Sequence, residues 1–150
     1  MGKVIVPARV VNFTDLAMVK RGLLAADQVR TVEVPDALVD TGATLLSLPK
    51  RFIAQLGLDR VRVRTAKTPG GIFEFGIYEP VQLTVQGREC RIEVAELPDN
   101  CPVLIGQIPL EMMDWVVDPV GQRLIGNPEH NGEDMFELFG LELPGSDRTE

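Results

Sequence analysis

A chain of 150 residues, 45% hydrophobic and 25% charged, has the make-up of one ordinary globular domain. Its formal charge of -7 comes with scattered basic residues, which leaves no electrostatic footprint for a phosphate backbone, so nucleic acid is not an expected partner. No run approaches the roughly 18 apolar residues of a membrane span, and no basic segment leads into an apolar one at the N-terminus. The expectation is a soluble, unsecreted, cytoplasmic protein without membrane attachment. Met1-Gly2 opens like a myristoylation signal, but Val6 stands where that signal needs Ser or Thr.

His130 is the only histidine, which removes Ser-His and Cys-His mechanisms and most zinc sites. Neither a metal nor a cofactor is predicted. Cys90 and Cys101 form no CxxC pair and read as reduced thiols, with Cys90 pointing into the core.

Short segments of alternating apolar and polar residues dominate the chain, the period of strands with one buried face. Lys3 to Val11 is the first. Thr14-Asp15-Leu16 then supplies a helix cap and first turn, the helix ends near Gly22, and Leu23 to Gln28 reads as a loop. Val29 to Val34 alternates, Pro35-Asp36 punctuates it, and Ala37-Leu38-Val39 runs into Asp40. After an apolar stretch from Leu45 to Leu48, Pro49 opens a helix whose Phe52, Ile53 and Leu56 share a face before Gly57 stops it. Arg60 to Arg64 and Ile72 to Tyr78 make a hairpin through Pro69-Gly70-Gly71. Val81 to Val85 and Cys90 to Val94 make a second through Gln86-Gly87. Val103 to Gly106 is a short buried strand, Pro109 to Met113 a helical turn, and Trp115 to Ile125 a last hairpin through Asp118-Pro119-Val120-Gly121. Residues 1-127 are read as the domain. Residues 128-150 are read as an acidic tail, docked or flexible, in which Met135, Phe136, Leu138, Phe139 and Leu141 could form an amphipathic stretch. Trp115, Met112 and Met113 read as core, and His130, Asp114 and Asp118 as solvent-facing.

Asp40-Thr41-Gly42-Ala43 places a carboxylate on a tight turn between two buried segments. Burial penalises a charged carboxylate unless donors hold it. Gly42 lets an amide approach, and the hydroxyls of Thr41 and Thr44 can bond within the turn or across an interface. Leu38-Val39-Asp40-Thr41-Gly42-Ala43-Thr44, the glycine-bearing hairpin and then Leu104-Ile105-Gly106 follow one another in the order of the retropepsin-like aspartic peptidases. The chain resembles that family from about Lys3 to Asn127.

The resemblance implies an all-β fold, a small closed barrel of the retropepsin-like acid protease type with one short helix after the catalytic loop. It implies Asp40, Thr41 and Gly42 as the catalytic group, with Asp40 activating water and Thr41 locking two catalytic turns across a dimer axis. Ala43, Thr44, Pro69, Gly70, Gly71 and Ile72 would contact substrate, with the glycine turn as the tip of a closing flap. Leu104, Ile105 and Gly106 would support the active-site loop. Only one Asp-Thr-Gly is present, so the implied enzyme is a homodimer acting on peptide or protein substrates. Retroviral members usually carry an acidic residue and an arginine where this chain has Thr44 and Gln107. Their joint replacement predicts a neutral hydrogen bond in place of the ion pair. The alternative reading is a catalytically silent peptide-binding or dimerisation module of the same fold.

Overall fold

The computed structural model describes residues 3–138. In chain order the elements are β1 (Val4–Asn12), α1 (Phe13–Lys20), β2 (Thr31–Val39), β3 (Leu46–Pro49), α2 (Lys50–Leu56), β4 (Arg60–Thr68) and β5 (Gly71–Val85). There follow β6 (Arg88–Leu97), β7 (Leu104–Ile105), α3 (Gln107–Met112), β8 (Trp115–Asp118) and β9 (Arg123–Gly126). Strand pairing runs β1-β2-β7-β3-β6-β5, and β5 pairs back onto β1. Six strands therefore close into a barrel, which removes most of the open edges that a flat sheet would expose. The fold is all-β with short helices attached.

Alternation explains what fills the barrel. Val4, Val6, Ala8 and Val10 of β1 point inward while Ile5, Pro7 and Arg9 face out. Across the β5–β6 ladder Val81 meets Ile92 and Leu83 meets Cys90, and these four are buried together with Val85 and Val94. Burial pushes the Cys90 thiol up to about 11, as expected of a thiol packed among aliphatic groups, and Cys90 and Cys101 are both free. Ile53 and Leu56 of α2 complete one end of this core, and Gly57 ends the helix in the left-handed region at φ 64.

Four departures from the sequence expectations have physical causes. The cap of α1 is Asn12, whose side chain accepts from the Asp15 amide, so the helix begins one residue before Thr14. Buried Asn12 also donates to the Leu56 carbonyl at 2.8 Å, and buried Asp15 takes three hydrogen bonds from Arg30. These bonds tie α1 to α2 and to the start of β2. Residues Ala26–Gln28 form a 3-10 turn within the expected loop. Pro35-Asp36 does not interrupt β2, because a register shift between Val6 and Ala8 of β1 absorbs the proline. Likewise Glu79-Pro80 is accommodated by a shift between Tyr78 and Val81, so the two expected hairpins share one strand of 15 residues.

The largest departure lies past the barrel. His130 is buried and held between two carboxylates, Nδ1 to Asp114 Oδ2 and Nε2 to Glu137 Oε2, both at 2.6 Å. Asp114 is likewise largely shielded, and it accepts from the Met135 amide as well. Arg88 stacks on Trp115 at 4.0 Å and donates to the carbonyls of Met113, Asp114 and Gly132. Hydrogen bonds thus hold residues 127–137 against the β8–β9 hairpin, where hydropathy alone suggested solvent. Met113 is core as expected, Trp115 packs against it, and Met112 is exposed. Met135, Phe136 and Leu138 are exposed and lie in no helix or strand; Phe139 and Leu141 lie outside the described residues.

This clasp gives a testable pH dependence. The Asp114 carboxylate, then that of Glu137, raises His130 above its ordinary value of 6.5. The His130 ring, followed by the Met135 amide and Asn127, holds Asp114 below its ordinary 3.8. The histidine's share of stability is complete below 6.5 and is lost as pH rises through the higher folded value. The aspartate's share is complete above 3.8 and is lost as acid protonates it in the folded state. The clasp should therefore be tightest between these two values. An NMR titration of the single imidazole should show a midpoint above 6.5, and the melting temperature should fall as pH rises above 6.5 in the parent but not in His130→Asn. An imidazole titrating at or below 6.5 would contradict the assignment.

Candidate active site

The end of β2 delivers Asp40 to a turn that the backbone locks from both sides. The Asp40 amide donates to the Ile105 carbonyl at 2.9 Å, and the Ala43 amide to the Asp40 carbonyl at 3.0 Å. The carboxylate Oδ1 accepts from the Gly42 amide at 2.9 Å. Asp40 is half-buried, whereas Thr41, Gly42 and Thr44 are exposed. A half-buried carboxylate is thus carried on a turn tied by backbone hydrogen bonds.

The other wall of the lock is Leu104-Ile105-Gly106. β7 pairs parallel with Leu38 and Val39 of β2 and antiparallel with Leu46 and Ser47 of β3, so it lies between the two strands flanking the turn. The Gly106 amide donates to Leu45, the Gln107 amide to Ala43 and the Ile108 amide to Thr44, all at 2.9 to 3.0 Å. Gly106 lies directly against the loop. A Cβ there would collide with the Leu45 carbonyl oxygen and stand 2.6 Å from the Thr44 carbonyl carbon.

The expected Thr44–Gln107 side-chain hydrogen bond is not formed. The Gln107 side chain turns along α3 and donates to Glu111 at 2.9 Å. Backbone bonds do the joining instead, which a sequence comparison of side chains could not anticipate.

β4 and the first half of β5 project from the barrel as a two-stranded arm. Pro69-Gly70 is its turn, with Thr68 opposite Gly71 and the Thr68 hydroxyl donating to the Gly71 carbonyl at 3.0 Å. Gly71 has φ 126, a conformation that side chains resist. Between this arm, the loop at Thr44 and Leu45, and Ile108 of α3 lies a cleft of about 790 Å³.

Of the six residues expected to contact substrate, Thr44 lines this cleft, Ala43 lies next to it in the loop, and Pro69, Gly70, Gly71 and Ile72 form the arm's tip beyond its walls. The catalytic trio Asp40-Thr41-Gly42 is likewise outside the walls of a single protomer. The arm contributes Arg62, Arg64, Thr65, Ala66, Phe73, Glu74 and Phe75 instead. The sequence reading missed these seven, although a signal existed for four of them. A two-residue turn puts Ala66 opposite Phe73 and Arg64 opposite Phe75, and alternation then gives all four one face.

No metal-holding cluster of three or more His, Cys, Asp or Glu occurs among the described residues. Nor is any helix among them long and apolar enough to cross a membrane.

No protein-family model matches the chain, and no curated protein matches it. Among solved structures the chain is similar to the simian foamy virus (mac) protease. That similarity covers 71% of this chain and 91% of the viral one, at 20% identity and a TM-score of 0.46.

Proposed function

We propose that this chain is an aspartic endopeptidase that acts as a homodimer on extended, largely apolar peptide segments. The observation that carries the reading is the rigid presentation of Asp40. Its turn is hydrogen-bonded from β7, its carboxylate is fixed by the Gly42 amide, and it opens to solvent beside a cleft under a projecting arm.

One carboxylate cannot act as base toward water and as acid toward the leaving amine at the same moment. Two copies of Asp40 facing each other across a twofold axis can, because neighbouring carboxylates avoid double ionisation by sharing a proton. One then removes a proton from the attacking water while the other protonates the amine. In this reading Thr41 steadies the two turns against each other, and Ala43, Thr44 and the tip at Pro69-Gly70-Gly71-Ile72 hold the peptide backbone. Closing the arm excludes water from the reaction. Leu104, Ile105 and Gly106 keep the loop in place, and no metal or cofactor takes part.

A dimeric site predicts that activity per mole collapses on dilution, in step with dimer dissociation measured by sedimentation. Pepstatin, which mimics the tetrahedral transition state, should raise the melting temperature of the assembled protein by roughly 5 to 10 °C at a hundredfold excess over its dissociation constant. Cleavage that persists unchanged in a solution of monomers would sink the proposal.

A further inference from the structure

We infer that the cleft selects peptides carrying an acidic side chain among apolar ones, through Arg64 and Lys50; this inference rests on the peptidase reading above. The walls are mostly apolar, with Leu45, Ile77, Leu97 and Ile108 beside Phe73 and Phe75. Such a surface holds the aliphatic and aromatic side chains of an extended chain.

The charges set into it are unequal. Lys50, Arg62 and Arg64 line the cleft against Glu74 and Glu96, and two of these five are already engaged. Arg62 is held by Glu93 in a double hydrogen bond at 2.7 and 3.1 Å. Glu96 accepts from the Gly76 amide and from the Tyr78 hydroxyl, both at 3.1 Å. Asp99, which is not part of the lining, is taken by the Arg51 amide and guanidinium and so offers Lys50 no partner.

Arg64, Lys50 and Glu74 form no ion pair among the described residues. Arg64 shares its face of the arm with Phe75, while Glu74 pairs with Thr65 on the opposite alternation. In a chain of net charge -7, two uncommitted cations at an apolar cleft run against the overall sign. A carboxylate seated beside either cation gains an attraction while its neighbours bury apolar surface. An ammonium there would meet a like charge.

The test uses full-length Asp40→Asn protein, in which binding is separated from cleavage, and three fluorescent extended peptides identical except for Glu, Gln or Lys at one position among Phe and Leu. The Glu peptide should bind about fivefold tighter than the Gln peptide, the size of one partly exposed ion pair, and the margin over Lys should be larger. High salt should shrink the preference, and Arg64→Gln with Lys50→Gln should bring the Glu peptide's affinity level with that of the Gln peptide measured on the same variant. Equal binding of all three peptides, no binding of any, or a preference that survives the double change would overturn the inference. Incubating the parent with the same peptides separates this outcome from the reading it rests on. Indiscriminate cleavage would leave the peptidase standing without the selectivity, and selective binding without cleavage would leave the cleft without the enzyme.

Discussion

Asp40→Asn is expected to cut peptide hydrolysis by at least about 10³-fold, within the range that removal of a general acid or base produces, while leaving the fold intact. The separation of the two effects follows from what the side chain does locally. Only Oδ1 is used in the turn, where it accepts from the Gly42 amide at 2.9 Å, and asparagine retains that oxygen. The remaining bonds of Asp40 run through its backbone to Ile105 and Ala43 and are indifferent to the side chain. The amide occupies the volume of the carboxylate, so packing at this half-buried position is preserved. What asparagine cannot do is accept a proton from water. Initial rates on a peptide library, read beside urea unfolding of the same samples, check both halves. A variant that unfolds like the parent yet keeps a tenth or more of its rate would remove Asp40 from the chemistry.

Gly106→Ala is the second large effect, and it acts through shape. Gly106 has φ -85, a conformation open to any residue, so no backbone strain is involved. The added methyl would instead strike backbone atoms of the facing loop, at Leu45, at 2.6 Å from Thr44 and at 2.8 Å from Ala43. A flexible side chain could step aside. These atoms are bonded to Gly106, Gln107 and Ile108 in return, so relief requires breaking the lock between the two segments. Overpacking of this kind costs about 3 kcal/mol, or roughly 10 °C in melting temperature for a domain of this size. Activity should fall further than stability, because the displaced segment is the one that carries Asp40. Urea unfolding and peptide cleavage measured together test this. A variant within about 1 kcal/mol of the parent would show that the loop can retreat without cost.

Much of this architecture was legible residue by residue. Alternation in Val81 to Val85 and Cys90 to Val94 identified both strands and their inward faces, because a strand with one wet side must alternate. The Phe52, Ile53 and Leu56 face with Gly57 behind it marked α2, since the helical period and a left-handed stop are both local properties. Asp40 stood out for a similar reason: a carboxylate between two apolar runs requires a turn with donors, and Gly42 supplies one. Hydropathy failed where polar groups satisfy one another out of sight of water. His130, Asp114 and Glu137 look like surface residues in a list, yet they form a clasp in which His130 is buried between the largely shielded Asp114 and the still exposed Glu137. The cap at Asn12 was hidden similarly, behind partners 3 and 44 positions away.

The sequence by itself determined the all-β character, the single outward acid, the glycine-bearing arm and the Leu-Ile-Gly segment, each set by interactions within a few residues. Tertiary structure alone decided that β5 returns to β1 and closes the barrel, that Gly106 presses on the Thr44–Leu45 backbone, and that Arg64, Phe73 and Phe75 share a cleft with Leu97 and Ile108. These depend on contacts between segments tens of residues apart. No local preference specifies which distant strand will satisfy an exposed row of amides and carbonyls; that choice is made only when the whole apolar face is buried together.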